Sequence, residues 1–339
     1  MPSLQRGVLA VAVQSSSSAW AVGSPPPDVR PEKAVVTHWN GAAWTTFSPA
    51  GLPQLSALYA VAQFPGGAWA VGESGLTDHG DAGGSPKHLL VRLTGATMRR
   101  APIPGPANGA LEDVAATSAT NAWAVGYIGG VNPGSSLILH WNGATWNRTP
   151  LPAAVGLGGN AGDIGAVDAS SATNAWAVGS LPVILHWNGR RWGQVASPDI
   201  GMPYALRDVA TTSARNVWAV GSLKDSYRAA LLLHWNGRSW TCALTRQIHP
   251  PKYPDTYLVA VSASSADDAR AVGGYYDSAE RALALHWNGH TWKQVLIPHL
   301  GPVAGLEDVA FIPQSGQVWA VDDADTATLI LRWDGIAWH

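Results

Sequence analysis

The stretch Ala122-Trp123-Ala124-Val125-Gly126, followed by His140-Trp141-Asn142-Gly143 and Trp146, recurs along the whole chain. Copies of the Trp-Ala-Val-Gly element lie at residues 19–23, 68–72, 122–126, 175–179 and, with small changes, 217–221, 269–273 and 318–322. Copies of the His-Trp-Asn-Gly-x-x-Trp element lie at 38–44, 140–146, 186–192, 234–240 and 286–292, with weaker versions at 92–98 and 332–338. Seven copies in 339 residues give a period of about 48 residues, typical of β-propeller blades.

Each copy predicts four short strands. In the third copy these lie near 110–117, 121–127, 136–141 and 144–149, and the first strand carries a further repeat, Leu-x-Asp-Val-Ala, at 111–115. Asn142-Gly143 predicts a two-residue hairpin turn, which would place Trp141 opposite Ala144 and Leu139 opposite Trp146. The two Trp rings would then be diagonal neighbours on one sheet face.

We therefore predict an all-β protein with one domain, residues 1–339, that folds as a seven-bladed β-propeller. Each blade has four antiparallel strands, and the last blade has a truncated outer strand. The predicted blades are 7–50, 56–104, 110–152, 163–198, 205–248, 257–298 and 305–339.

The composition excludes several other classes of protein. Abundant Gly (37) and Pro (24) disfavour a helical fold, and a hydrophobic content of 46% disfavours disorder. A net charge of −2 argues against nucleic-acid binding. The single cysteine, Cys242, excludes an internal disulfide framework, and no run of 18 apolar residues is present, so we expect no membrane insertion.

The 18 Trp residues fall into three columns of six. The first column precedes Ala-Val and comprises Trp20, Trp69, Trp123, Trp176, Trp218 and Trp319. The second follows His or Arg and comprises Trp39, Trp141, Trp187, Trp235, Trp287 and Trp333. The third follows the hairpin and comprises Trp44, Trp146, Trp192, Trp240, Trp292 and Trp338. A residue that recurs in nearly every blade indicates structural packing between blades, and a ring of peripheral sugar sites is the alternative.

This pattern resembles bacterial Trp-rich propeller repeats. It is similar to the Asp-box (BNR) repeats of sialidase-type propellers and to the repeats of photosystem II assembly-factor propellers. The segment Trp333-Asp334-Gly335-Ile336-Ala337-Trp338 is the nearest copy of an Asp-box, one residue shorter between Asp and Gly, and the other blades carry Asn. The resemblance covers essentially the whole chain and implies the propeller fold; in that family the box is a structural hairpin away from the active face.

The two ends of the chain raise separate questions. Residues 1–21 imitate a secretory signal peptide, but 8–12 and Trp20 fill repeat positions of the first blade, so we expect this stretch to fold rather than to be cleaved. For the last blade, the outer strand is absent, or Pro2–Gln5 supplies part of it, or the chain was cut from a longer protein. Abundant Ser, Thr and Gly with scarce Lys favours a secreted or cell-surface bacterial protein.

Loop variation predicts the functional face. Connections after the second and fourth strands of each blade open on one face, which we call the variable-loop face. Their lengths range from Ser180-Leu181-Pro182 to residues 73–87 and 243–256, whereas the connections of the opposite, repeat face are alike. Binding residues are typically carried on such loops. The candidates are Tyr127, Tyr204, Asp225, Tyr227, Arg228, Tyr253, Tyr275, Tyr276, Asp277, Arg281, Asp322 and Asp323.

These tyrosines and charges form a typical recognition composition, and the alternative is that the tyrosines only cap the ends of the sheets. The repeat histidines, which include His140, His186 and His234, predict a structural hydrogen bond to the inner-strand Asp, as in WD-repeat propellers. The inner-strand residues Asp113, Asp208 and Asp308 hold a local turn or a His, or else a cation in the central channel.

Other chemistry is weakly indicated. The loop Asp78-His79-Gly80-Asp81 with His88 is a solvated insertion or a metal site, and Arg270, in a Trp position, marks a functional blade or a tolerated change. No Gly-x-Ser-x-Gly, His-Glu-x-x-His, Walker or dinucleotide motif is present. We therefore expect a monomeric, non-enzymatic module that binds a glycan or a protein and needs no cofactor. The alternative is a glycosidase, lyase or lactonase that uses carboxylates of the variable-loop face or channel.

Overall fold

The structure, a computed structural model, describes most of the chain. The described residues are 7–24, 33–47, 51–75, 86–95, 97–129, 135–153, 155, 164–180, 182–223, 229–244, 255–276, 278–297, 305–312, 315–322 and 329–339. They form seven antiparallel sheets arranged as blades around one axis, which confirms the predicted all-β seven-bladed propeller. In this part of the chain no helix is long and apolar enough to cross a membrane.

Each blade follows chain order from the axis outward. Blade 1 contains β1 (Val8–Ser15), β2 (Ser18–Gly23), β3 (Val35–Trp39) and β4 (Trp44–Thr46). Blade 2 contains β5 (Ser56–Phe64), β6 (Gly67–Ser74), β7 (Lys87–Thr94) and β8 (Thr97–Arg100). Blade 3 contains β9 (Leu111–Ser118), β10 (Asn121–Ile128), β11 (Ser135–Trp141) and β12 (Trp146–Arg148). Blade 4 contains β13 (Ile164–Ser171), β14 (Asn174–Gly179), β15 (Ile184–Trp187) and β16 (Trp192–Gln194).

The remaining blades repeat this order. Blade 5 contains β17 (Tyr204–Ser213), β18 (Asn216–Leu223), β19 (Ala230–Trp235) and β20 (Trp240–Leu244). Blade 6 contains β21 (Thr256–Ala263), β22 (Ala269–Tyr276), β23 (Glu280–Trp287) and β24 (Trp292–Gln294). Blade 7 contains β25 (Asp308–Phe311), β26 (Val318–Asp322) and β27 (Leu329–Trp333).

Among the described residues blade 7 has three strands, and two residues occupy the position of its outer strand. Trp338 forms a bridge with Trp333, and His339 and Arg332 exchange two backbone hydrogen bonds of 2.9 and 3.0 Å. Residues 2–5, the predicted alternative source of this strand, lie outside the described residues.

The core lies between blades. The inner strands contact one another in order, from β1 through β5, β9, β13, β17, β21 and β25 back to β1. Seven hydrophobic clusters fill the seven interfaces between successive blades, which we call seams. The seam between blades 7 and 1 contains Val11, Val321 and Trp319, so the ring closes through the same kind of packing as elsewhere.

The Trp columns meet at these seams. Trp123 of blade 3 is fully buried; its ring lies 4.8 Å from Trp187 and 5.1 Å from Trp192 of blade 4. Trp69, Trp176, Trp218 and Trp319 make the equivalent contacts with the second- and third-column Trp residues of the blade that follows each. Each buried indole contributes about 5 kcal/mol of gross transfer free energy, as an upper bound.

Two seams depart from this rule. Trp20 faces Leu93 and Met98 of blade 2 in the first seam, where the two later Trp columns are vacant. Arg270 of blade 6 is buried beside Trp333 and Phe311 of blade 7, with its guanidinium 5.6 and 5.8 Å from their ring centroids. Cation–π contacts and Asp268, 3.5 Å away, compensate part of the cost of burying this charge.

The predicted register of the outer hairpin is wrong. Trp141 pairs directly with Trp146, so the two rings are opposite and not diagonal. The physical reason is the Asn142 side chain, whose Oδ1 accepts hydrogen bonds from the amides of Ala144 (3.0 Å) and Thr145 (2.9 Å). This stabilises a four-residue loop in which Gly143 supplies the positive φ of 93°.

The inner strand of most blades carries a β-bulge. In blade 3, Asp113 pairs with Val125 and Leu111 pairs with Gly126, so Glu112 is skipped. The bulge brings the chain so close that a Cβ on Gly126 would clash with the carbonyl oxygen of Ala110, which explains the glycine of Trp-Ala-Val-Gly. The same skip occurs in blades 1, 2, 4, 5 and 6.

Candidate functional site

The bulges surround a central cavity of about 750 Å³. Seven residues at the equivalent position, one from each blade, line this cavity, and we call them the bulge ring. They are Leu9, Tyr59, Glu112, Gly165, Arg207, Val259 and Glu307. A bulge leaves one residue outside the regular pairing and redirects its side chain. In blades 1 to 6 the bulge-ring residue lies in the first part of the inner strand, at the variable-loop face, and in blade 7 Glu307 lies directly before β25. The ring therefore forms the mouth of the cavity.

The repeated aspartates lie directly below this mouth. The Oδ2 atom of Asp113 accepts a hydrogen bond of 2.7 Å from the amide of Val167 in blade 4, while Oδ1 accepts one from its neighbour Val114. Asp208 bonds in the same way to Val261 of blade 6, and Asp308 to Val11 of blade 1. These carboxylates thus connect successive inner strands, the last of them across the seam that closes the ring.

Burial changes the titration of these carboxyls. It raises the pKa of Asp113 to about 8 and the pKa of Asp308 to about 7, although the backbone amide donors act in the opposite direction. Burial and the nearby charge of Asp113 raise the pKa of Asp208 well above its usual range. A fourth cavity carboxyl, Asp168, bonds to the amide of Thr211 at 2.6 Å. The described residues hold no group of three or more His, Cys, Asp or Glu that could bind a metal ion.

At the seam between blades 2 and 3, three polar side chains are held together. The Tyr59 hydroxyl donates a hydrogen bond of 2.8 Å to Glu73, which is 7% exposed. Glu73 pairs across the sheet with His88, which is also buried and whose Nε2 bonds to the Tyr127 carbonyl oxygen at 2.7 Å. Burial raises the pKa of Glu73 and lowers the pKa of His88, so both environments favour the neutral form.

At the seam between blades 6 and 7, a second tyrosine–glutamate pair is present. The Tyr257 hydroxyl donates a hydrogen bond to Glu280, and Gly274 and Gly305 leave the space that this hydroxyl needs. The ring of Tyr276, 42% exposed, lies 6.5 Å from that of Tyr257. Burial and the adjacent glutamates raise the pKa values of Tyr59 and Tyr257, so both phenols stay protonated hydrogen-bond donors.

The predicted binding residues differ in their exposure in the structure. Tyr127, Tyr275 and Arg281 are half-buried at strand ends on the variable-loop face, and Tyr276 is exposed there. Tyr204 and Asp322 are also at this end but are 3% and 1% exposed, which favours structural roles. The predicted residues Asp225, Tyr227, Arg228, Tyr253, Asp277 and Asp323, and the loop 78–81, lie outside the described residues.

The repeat histidines bond to a different partner from the predicted inner-strand Asp. His140 Nε2 lies 2.8 Å from Oδ1 of Asn121, at the start of the second strand, and its ring stacks on Trp123 at 4.0 Å. His186 and His234 make the same bond to Asn174 and Asn216. Burial lowers the pKa values of these histidines, in keeping with a neutral, structural role.

The bulge ring was not identified from the sequence. Its signal is the variable second residue of Leu-x-Asp-Val-Ala, which is Glu in blades 3 and 7, Arg in blade 5 and Tyr in blade 2. By contrast, the first position of the element is Leu, Ile or Val and the fourth is Val in every blade. A chemically variable residue between these two conserved apolar positions is therefore the feature that marks the cavity mouth.

Comparison with known proteins supports the fold. No protein-family model matches the chain, and no curated protein matches it. Among solved structures, "YCF48 bound to D1 peptide" is 13% identical with a TM-score of 0.63, covering 98% of this chain and 93% of that one. The likeness is one of fold. It agrees with the resemblance to photosystem II assembly-factor propellers.

Two further solved structures are similar at the same level. A GH74 xyloglucanase from Xanthomonas campestris has a TM-score of 0.66 and 15% identity; the match covers 98% of this chain, which spans about half (53%) of the enzyme's length. A fucose-specific lectin from Aleuria aurantia has a TM-score of 0.53 and 13% identity, covering 86% of this chain and 96% of the lectin. The shared architecture thus serves both binding proteins and enzymes.

Proposed function

We propose that this propeller is a non-enzymatic binding module whose variable-loop face, centred on the cavity mouth, binds a protein segment or a glycan. The observation that carries the proposal is the bulge ring. Seven positions that surround one cavity carry six different residue types, whereas the seam positions around them are nearly constant. Chemical variety confined to the mouth of a rigid scaffold is typical of a recognition surface.

The state of the carboxyl groups favours binding over acid–base catalysis. The carboxyl groups of Asp113, Asp208 and Asp308 accept hydrogen bonds from backbone amides. Those of Glu73 and Glu280 accept hydrogen bonds from tyrosine hydroxyls. Catalytic carboxylates must instead reach the reacting atoms of the substrate. The phenols of both tyrosine–glutamate pairs have raised pKa values, which is unfavourable for a nucleophile.

The structural neighbours make both ligand classes reasonable, since one is described with a peptide and another as a fucose-specific lectin. We test the proposal by screening the purified full chain on a glycan array and a peptide array. A double variant, Tyr275→Ala with Tyr276→Ala, should lose the signal. The matched control, Arg190→Ala with Arg238→Ala, alters two exposed residues of the repeat face and should keep it. Equal signals from both variants would place the ligand elsewhere.

A second candidate function is a glycosidase, lyase or lactonase. The observation that favours it is the presence of Glu112 and Glu307 at the cavity mouth, in a fold shared with a GH74 xyloglucanase. The reaction would then depend on these two carboxylates as acid and base. Incubation with xyloglucan and other β-glucans tests this alternative: sugar release that disappears in Glu112→Gln with Glu307→Gln would favour an enzyme.

A secreted or cell-surface location remains part of the proposal.

A further inference from the structure

The two tyrosine–glutamate pairs belong to the same three-part arrangement, repeated at two seams. At the first, Tyr59 donates to Glu73 of its own blade, and the nearest bulge-ring residue of the next blade is Glu112. At the second, Tyr257 donates to Glu280 of its own blade, and the bulge-ring residue of the next blade is Glu307. In each case burial raises the pKa of the tyrosine most, and the charge of the next blade's glutamate adds to it. The two seams lie on different sides of the cavity mouth.

Carboxyl groups outnumber guanidinium groups in the lining of the cavity below these seams. Its described lining includes six carboxyl groups, those of Glu112, Asp113, Asp168, Asp208, Glu307 and Asp308, and one guanidinium, that of Arg207. Burial raises the pKa values of Asp113, Asp208 and Asp308, so these buried aspartates contribute little negative charge near neutral pH. The negative charge at the mouth comes chiefly from Glu112 and Glu307, whose charges act on the neighbouring tyrosines. Charges of one sign that line a concave, low-dielectric site focus their field at its mouth. The mouth therefore attracts a cation.

An aromatic surface lies at the same place. Tyr276 and Glu280 are opposite each other on neighbouring strands and so share the sheet face that lies toward blade 7. Tyr275 and Arg281 share the other sheet face, where Tyr275 packs against the core between blades 5 and 6. Arg281 is thus separated by the sheet from the exposed ring of Tyr276. That ring lies opposite Glu280, and both Tyr276 and Glu307 are near enough to Tyr257 to help raise its pKa. A cation over an aromatic face next to a carboxylate is stabilised by both.

We propose that the cavity mouth at the seam between blades 6 and 7 binds the side chain of a lysine or arginine of a protein partner. The inference rests on the proposed function and names the ligand class of the same face. The ammonium or guanidinium group donates hydrogen bonds to Glu307, with Glu112 across the mouth adding to the attraction, and its alkyl stem lies against the ring of Tyr276. A neutral sugar would gain nothing from the charges of Glu112 and Glu307 at the mouth.

The test measures binding of a fluorescein-labelled peptide of alternating glycine and lysine to the full chain by anisotropy. Matched peptides carry acetyl-lysine or glutamate in place of lysine. We expect binding of the lysine peptide only, weaker at higher salt. Glu112→Gln with Glu307→Gln should weaken it about tenfold, as expected for loss of charged hydrogen bonds. Tyr276→Ala should weaken it about threefold, and Tyr276→Phe should retain most of the affinity.

The control variant is Asp267→Asn, which removes an exposed carboxylate from the repeat face and should leave binding unchanged. Urea denaturation of every variant checks that the fold is retained. Equal binding of the lysine and acetyl-lysine peptides, or unchanged binding by the double glutamine variant, would overturn the inference. A glycan hit that is lost in Tyr276→Ala, without lysine-peptide binding, would refute the cation site while leaving the proposed function intact. Absence of any ligand on both arrays would refute the proposed function itself.

Discussion

Replacing Trp123 by Ala removes the side chain on which the seam between blades 3 and 4 depends. The indole is fully buried, stacks on His140 at 4.0 Å, and lies 4.8 and 5.1 Å from Trp187 and Trp192. Burial of about 200 Å² at about 25 cal/mol per Å² gives a gross value of about 5 kcal/mol. Because neighbouring side chains relax only partly into the cavity, we expect the free energy of unfolding to fall by about 3–5 kcal/mol.

Urea denaturation followed by far-UV circular dichroism measures this loss. Leu296→Ala is the matched control, since Leu296 is 85% exposed and its truncation should change the free energy of unfolding by no more than about 0.5 kcal/mol. A loss below about 1 kcal/mol for Trp123→Ala would contradict the assignment of the Trp columns to the seams. A large loss for the control would show that the assay does not separate buried from exposed side chains.

Two further predictions follow from the inner strands. Gly126→Ala should lower the free energy of unfolding by about 1–3 kcal/mol, because the new Cβ would clash with the carbonyl oxygen of Ala110. The control is Gly165→Ala, which should be nearly neutral because no atom lies within 4 Å of the Cβ position. Equal losses for the two variants would argue against the close approach at Gly126. Burial raises the pKa of Asp113 to about 8, so between about pH 4 and pH 8 this carboxyl binds more protons in the folded state than in the unfolded state. Its contribution to the free energy of unfolding is therefore fully present below about pH 4 and is lost as the pH rises to 8. The stability of wild type minus that of Asp113→Asn should therefore decrease from pH 5 to pH 8 in urea titrations, and an increase would refute the shift. Taking the difference removes the histidines, whose lowered pKa values act with the opposite sign.

The repeated features of the fold were predictable because one physical cause acts in every blade. Trp residues recur at the positions of Trp123, Trp141 and Trp146 in most blades because most seams are filled by the same aromatic contacts. The hairpin register was not predictable from Asn-Gly alone. The register depends on which group accepts the hydrogen bonds of the loop amides, the Asn142 side chain or a backbone carbonyl. In this structure the Asn142 side chain accepts them.

The candidate site was harder to predict because its contacts cross between blades. The bond from Val167 to Asp113 joins residues 54 positions apart, and the bond from Val11 to Asp308 joins residues 297 positions apart. Periodicity identifies which strand carries each aspartate but not which neighbouring amide it accepts. The tyrosine–glutamate pairs occur at only two described seams, so no repeat pattern points to them.

The seam contacts make each blade directional. In most blades one side presents a single first-column Trp and the other side presents the two later Trp columns that receive it, so successive blades associate head to tail. Such a heterologous interface forms a closed ring when the rotation per unit fits the number of units, and an open array when it does not. The contact of Trp319 with Trp39 and Trp44 shows that seven units complete the turn. The same Trp contacts recur at five of the seven seams, so ring closure does not depend on which blade comes first in the chain, and a circular permutant opened at another connection should close into the same ring.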